Sequence, residues 1–249
     1  MAFSTRSYAR EYLGGGGSLP PGVKGLIIAN SVIFLLMWLV GPIERVFMQW
    51  FALVPTDVVT RFFVWQPVTY LFLHGGFMHI LMNMLYLWFF GKDLEDIWGT
   101  RKFLQFYFFC GVGAGLVVVL ANYLFSDPRI PTIGASGAIF GVLLVAAVLW
   151  PDRIIILIIF PIKLKYLVMI LGAFAFFGLS EPNSGVSQVA HLSGMLFGYV
   201  FLKMPRGRKM EVVAPMRESY KAWKLARAKR KFQVYMKKQQ GGDRDRWVN

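Results

Sequence analysis

The sequence predicts an all-α, polytopic membrane protein whose transmembrane helices pack as a six-helix bundle. Three observations carry that expectation. The chain is 56% hydrophobic, and its 249 residues hold only 27 Lys and Arg and 13 Asp and Glu. Uncharged stretches recur at 25–43, 62–91, 103–126, 130–151, 166–180 and 182–202, most of them near the roughly 20 residues that cross a hydrocarbon core. The basic residues gather where one side of the membrane would lie: Arg6, Arg10 and Lys24 before the first stretch, Lys92, Arg101 and Lys102 after the second, and 15 of the 27 from Lys203 onward. Both termini are therefore expected in the cytoplasm.

Taken in order, residues 1–23 read as a flexible cytoplasmic N-terminus: "GGGGSLPPG" favours a mobile lead-in, and no apolar signal segment precedes the first span. The membrane domain is expected over 24–203. Its second uncharged stretch is too long for one crossing, and Pro67 and the pair Gly75-Gly76 interrupt helix in its first half, so the second span should begin near Phe77. Trp65, Pro67 and Tyr70 before it suit an interfacial, partly inserted loop. The fifth span extends over Lys163–Ser180 if Lys163 and Lys165 reach to the interface, and the Ile154–Phe160 run lies beside the membrane. The single cysteine, Cys110, sits in the third span, so no intrachain disulfide forms. Residues 204–249 form a basic cytoplasmic tail.

Ionisable and polar groups inside spans are costly in lipid, so each is a functional candidate. The three histidines, His74, His79 and His191, all fall towards the outer side of this topology. With the N-terminus inside, spans two, four and six all run outside to inside. Ser136 in the first turn of span four, His79 and Asn83 early in span two, and His191 early in span six then share a layer roughly 10 Å deep. His79 and Asn83, spaced i, i+4, lie on one helix face and can donate towards one point. Gly137 and Gly141 on span four, and Gly194 and Gly198 on span six, form small-xxx-small faces that let backbones approach closely. Packed together, those faces bring Ser136 and His191 into reach, as a nucleophile and its base.

These residues resemble the rhomboid intramembrane serine proteases over about residues 25–203. "GASG" (134–137) is similar to the family's nucleophile motif, "AHLSGMLFG" (190–198) to its histidine motif, "HILMN" (79–83) to its oxyanion-donor motif, and "GKDLEDIWG" (91–99) to the Gly-Glu-Gly pattern at the inner end of span two. The resemblance implies a six-helix rhomboid-like core and a Ser-His dyad without an acidic third member. Ser136 would attack the scissile carbonyl, His191 would take and return its proton, and His79, Asn83 and the Ser136 N–H would hold the oxyanion. His74 and Gly134 stand as accessory residues, and no cofactor or metal is required. Two positions depart from the family pattern: Gln66 follows Trp65 where an Arg is common, and Phe140 stands where a Tyr often stacks on the histidine. The implied function is an intramembrane serine endopeptidase that cleaves single-span transmembrane substrates near the outer membrane boundary, in a bacterial inner membrane.

Other readings stand beside this one. A catalytically inactive rhomboid-like protein would bind transmembrane clients with the same scaffold. A histidine-lined transporter or metal channel would continue polar residues to the inner face, yet spans four and six turn apolar after Ser136 and Ser193. A metal shell around His79 and His191 lacks a cysteine, and Glu181 is the one outer-face carboxylate near it. His74 can equally bond a water or loop carbonyl at the mouth of the cavity, and Glu95 reads as structural. In the tail, Ala222, Leu225, Ala228, Phe232 and Tyr235 recur near helical spacing among basic residues. That pattern fits a helix on the anionic inner leaflet of the bilayer, or a solvated tail that only enforces topology. No nucleic-acid motif accompanies the charge.

Overall fold

The computed structural model describes residues 19–157, 160–180 and 185–204. Most of the N-terminal lead-in, Glu181, and the basic tail with its 222–235 stretch lie outside the described residues.

The chain runs through α1 (Pro21–Leu39), α2 (Gly41–Phe51), α3 (Pro55–Thr60) and α4 (Gln66–Thr69), which passes into a 3₁₀ turn over Tyr70–Phe72. Then come α5 (Phe77–Tyr86), a π-helical turn over Leu87–Gly91, α6 (Lys92–Trp98) and α7 (Thr100–Phe125). After α8 (Ser136–Leu149), strands β1 (Ile154–Leu157) and β2 (Phe160–Lys163) lead to α9 (Leu164–Phe177), a 3₁₀ turn over Gly178–Ser180, and α10 (Gly185–Lys203). Among the described residues, α1 and α7 are each long and apolar enough to cross a membrane. The segments Gln66–Phe72 and Phe77–Trp98 form a further apolar pair bent by 98°, and α8 and α9 are shorter apolar helices.

Proline at the first turn starts α1, α2 and α3, where its missing N–H is no loss. At the head of α1 the orphan donors are met from another helix. The Glu95 carboxylate accepts the N–H of Gly22 and of Val23, each at 2.7 Å, and also the Thr100 hydroxyl at 2.7 Å. Glu95 thus has the structural role its sequence context suggests, and it ties α6 to the start of α1.

Helix α8 is the centre of the bundle. Gly137, Ala138, Ile139, Gly141, Val142, Leu143, Val145, Ala146 and Ala147 are all buried, so no polar stripe remains on it. Its closest neighbour is α10. A Cβ on Gly194 would fall on the carbonyl oxygen of Gly137, and one on Gly198 would lie 2.9 Å from that of Gly141. Across the other side, a Cβ on Gly141 would lie 2.7 Å from Cys110 Sγ of α7. The small residues are therefore what allow three helix backbones to converge behind Ser136.

Two features differ from the sequence expectation. The run expected beside the membrane is an antiparallel hairpin, with Ile154 opposite Lys163 and Leu157 opposite Phe160, so the described residues are not wholly helical. Consecutive β-branched isoleucines favour extended backbone, and Ile155 and Ile162 pack onto the core while Ile154, Ile156 and Phe160 stay exposed. Charge pairs anchor its base: Arg153 with Asp93 of α6, and Lys163 and Lys165 with Asp152 at 3.2 Å each.

The second difference is Tyr70, expected in an interfacial patch but only 1% exposed. Its hydroxyl donates to Gly111 O of α7 at 2.7 Å, which satisfies the phenol and lets the ring join the core. The ring fits because Gly115 faces it; a Cβ there would approach Tyr70 Cε1 to 3.0 Å. Trp65 does lie at the surface, with its indole N–H on Trp50 O at 2.8 Å and its ring stacked on Phe63.

Candidate active site

The nucleophile candidate is delivered by a stitched loop. Leu53 and Thr132 exchange backbone hydrogen bonds of 3.0 and 2.9 Å, Thr56 N–H donates to Pro128 O at 2.9 Å, and Gly134 N–H donates to Tyr70 O at 2.9 Å. Farther out in this loop, the Arg129 guanidinium and backbone N–H hold the Asp127 carboxyl below its usual range. Gln66, the departure from Trp-Arg, is fully buried and accepts the Val54 N–H through Oε1 at 3.0 Å. The loop thus keeps a polar anchor at that position.

Ser136 is the first residue of α8, with Ala135 in front of it and no side-chain cap. Its N–H is therefore among those a helix start leaves unbonded, at the positive end of the helix dipole. Gly134 has φ +120°, a backbone that favours glycine, and a Cβ there would lie 2.7 Å from His79 Nε2. The loop turn, the Ser136 N–H and the His79 ring are consequently neighbours.

Helix α10 brings the base candidate. His191 Nε2 lies 2.9 Å from Ser136 Oγ, while its Nδ1 lies 3.1 Å from Gln188 Oε1. Phe140, one turn beyond Ser136 on α8, stacks on the imidazole with centroids 4.1 Å apart and planes 2° from parallel. The stacking position that a tyrosine often fills is therefore filled by Phe140 without a hydroxyl. Dyad-like geometry thus has three constraints: the hydroxyl at one nitrogen, an amide oxygen at the other, and an aromatic face.

The remaining candidates divide. His79 sits beside Gly134 as described, and Asn83 is buried, but its Nδ2 donates to the carbonyl of His79 at 2.7 Å along their own helix. One amide hydrogen is thus used locally, and the second is what it has left for the site. His74 is 2% exposed and meets His79 edge-on, with ring centroids 5.0 Å apart. It lies one ring away from the position beside Ser136. Among the described residues no group of three or more His, Cys, Asp or Glu side chains could hold a metal ion.

Sequence reasoning missed Gln188. The signal was present, because residues at i and i+3 share a helix face and glutamine three before a histidine can reach its ring. It also missed Tyr70 as the carbonyl that receives the Gly134 N–H, a contact between segments far apart in sequence.

Comparison with known proteins places the chain in a family. Residues 61–206 match the Rhomboid domain. Rhomboid protease GlpG of Salmonella typhi is 29% identical over 179 residues, covering 70% of this chain and 59% of that protein. Rhomboid protein 1, mitochondrial, of Saccharomyces cerevisiae is 31% identical over 182 residues, covering 72% of this chain and 51% of that protein. The chain thus spans less than two thirds of the length of these relatives. With a domain match over residues 61–206, more than half of its length, and apolar helices long enough to cross a membrane among the described residues, this chain is an integral membrane protein that belongs to the rhomboid family.

Proposed function

We propose that the protein is an intramembrane serine endopeptidase using a Ser136–His191 dyad. The observation that carries this reading is the 2.9 Å separation of Ser136 Oγ and His191 Nε2. A serine hydroxyl is a weak nucleophile until an adjacent base removes its proton. His191 Nε2 takes that proton as Oγ attacks the scissile carbonyl, forming the C–O bond, and returns it to the amine as the C–N bond breaks. A water, deprotonated by the same nitrogen, then displaces Ser136 Oγ, which regains its proton as the acid leaves. The Ser136 N–H, His79 and the second Asn83 N–H hold the oxyanion; each such donor is typically worth roughly 10²–10³ in kcat. Gly134 keeps the approach open, and His74 supports His79 from behind.

In this reading residues 24–203 form a six-span core, with residues 1–23 and 204–249 cytoplasmic and the basic tail on the anionic inner leaflet. The positive-inside bias of Lys and Arg supports that orientation. The substrates are single-span membrane proteins, cut near the outer boundary after local unwinding, because a helical carbonyl is already bonded within its own segment. The location read from this orientation is a bacterial inner membrane; the relatives named Rhomboid protease GlpG come from bacteria, Salmonella species.

Labelling of the purified protein in detergent by a fluorophosphonate tests the reading. The wild type should label, and Ser136→Ala and His191→Ala should not. A folded wild type that never labels would overturn catalysis and favour a client-binding rhomboid-like protein.

A further inference from the structure

We infer that Gln188 is a positioning residue that fixes the tautomer and orientation of His191, and that it is itself seated by Gly178 at the end of the preceding apolar helix. The inference rests on the dyad reading for its catalytic consequence, but the geometry stands apart from it.

An imidazole acts as a base towards a hydroxyl only if the nitrogen facing that hydroxyl is unprotonated. Which nitrogen carries the proton is set by the partner of the other. Here Nδ1 faces Gln188 Oε1 at 3.1 Å. An amide oxygen accepts and does not donate, so this contact requires a proton on Nδ1 and leaves Nε2 as the acceptor for the Ser136 hydroxyl 2.9 Å away. Phe140 fixes the ring plane by stacking, yet stacking is indifferent to a half-turn of the ring and to the tautomer. Gln188 supplies what Phe140 leaves open.

A glutamine has three rotatable side-chain bonds and needs a seat of its own. The bare backbone at Gly178 gives it one: a Cβ there would lie 3.0 Å from Gln188 Cγ and 3.2 Å from both Cδ and Nε2. Gly178 caps α9, and its N–H bonds back to Phe174 O and Phe176 O. The relay therefore runs from the end of α9, through the amide of Gln188, to Nδ1 of His191 and on to the Ser136 hydroxyl. In a neutral acceptor this does the orienting part of what an aspartate does in a Ser-His-Asp triad, without adding a buried charge.

The test uses the full chain in detergent with two readouts. The first is the rate of fluorophosphonate labelling, in which Oγ–P forms, P–F breaks and the serine proton passes to Nε2. The second is ¹⁵N NMR of histidine-labelled protein, which reports the tautomer directly; with only three histidines, His74→Gln and His79→Gln assign the spectrum. Gln188→Leu should slow labelling by about 10–100-fold, the range over which the partners that orient metal-bound imidazoles act, and should shift His191 away from the Nδ1–H tautomer. Gln188→Glu restores an acceptor of the same length and should recover most of the rate. Gly178→Ala crowds the seat and should slow labelling several-fold with the same change in the His191 spectrum, which keeps the test decisive if Gln188→Leu does not fold.

A wild-type His191 protonated on Nε2 would overturn the inference, as would a Gln188→Leu protein with an unchanged His191 spectrum, whatever its rate. If the wild type shows the Nδ1–H tautomer and loses it in Gln188→Leu, yet never labels, the positioning inference stands and the dyad reading falls.

Discussion

Phe140 lies flat on His191, with ring centroids 4.1 Å apart and planes 2° from parallel. Both side chains come from helices whose backbones nearly touch, so the stack is a product of the glycine contacts that bring α8 and α10 together. The Phe140 ring packs on the face of the imidazole and brings no hydroxyl of its own.

Phe140→Leu should therefore slow fluorophosphonate labelling by about 2–13-fold, because the ring loses its fixed plane and an aromatic pair contributes roughly 0.5–1.5 kcal/mol beyond its buried area. Phe140→Tyr should stay within about threefold of the wild type, since the stack survives. Equal loss in both variants would mean that volume, not stacking, is what the site needs.

Gly134→Ala should abolish measurable labelling. The residue has φ +120°, where an L side chain is strained by roughly 1–3 kcal/mol, and its Cβ would lie 2.7 Å from His79 Nε2. His79 must then leave, or the loop that delivers Ser136 must move. A labelling rate within tenfold of the wild type would remove Gly134 and His79 from the site.

Part of this site was legible in the sequence because helix periodicity fixes which residues share a face. The small-residue faces of α8 and α10 announce the contact that sets Ser136 2.9 Å from His191, and the i, i+4 spacing of His79 and Asn83 puts both on one side of α5. The contacts that orient them were not legible. The bond from Gly134 N–H to Tyr70 O and the Leu53–Thr132 bridge join segments whose pairing no local pattern announces. Asn83 illustrates the reverse case: its spacing from His79 was correct for a shared face, but the same i, i+4 spacing lets its amide bond the His79 carbonyl. The hairpin at Ile154–Lys163 was hidden for a related reason, since a short apolar run is equally compatible with helix, strand or an interfacial segment.

Gly194→Ala should lower stability and rate together. Its Cβ would fall on the carbonyl oxygen of Gly137, the residue after Ser136, so α10 must retreat from α8 and carry His191 with it. Overpacking typically costs about 1–3 kcal/mol and occasionally more, and a shift large enough to clear a backbone oxygen would lengthen the 2.9 Å contact between Ser136 and His191. Thermal unfolding in detergent, followed together with fluorophosphonate labelling, checks both effects. Lower stability with an unchanged rate would show that the helix contact and the dyad are mechanically independent.

Glu95→Gln should lower stability while sparing the chemistry. The carboxylate accepts two backbone N–H groups at the start of α1, Gly22 and Val23, from a side chain only 2% exposed. A glutamine presents one oxygen and one NH₂, so one of those donors would face another donor. Leaving a buried donor unmet costs about 1–3 kcal/mol, and the favourable charge at a helix N-terminus is lost as well. Glu95 is 16 residues along the chain from His79, about 24 Å if the segment were straight helix, so the site should not feel the change while the bundle is folded. The expected result is a melting temperature several degrees lower and a labelling rate at low temperature within about twofold of the wild type. A rate that falls before the protein unfolds would mean that the seat of α1 on Glu95 is coupled to the dyad through the π-helical turn at Leu87–Gly91.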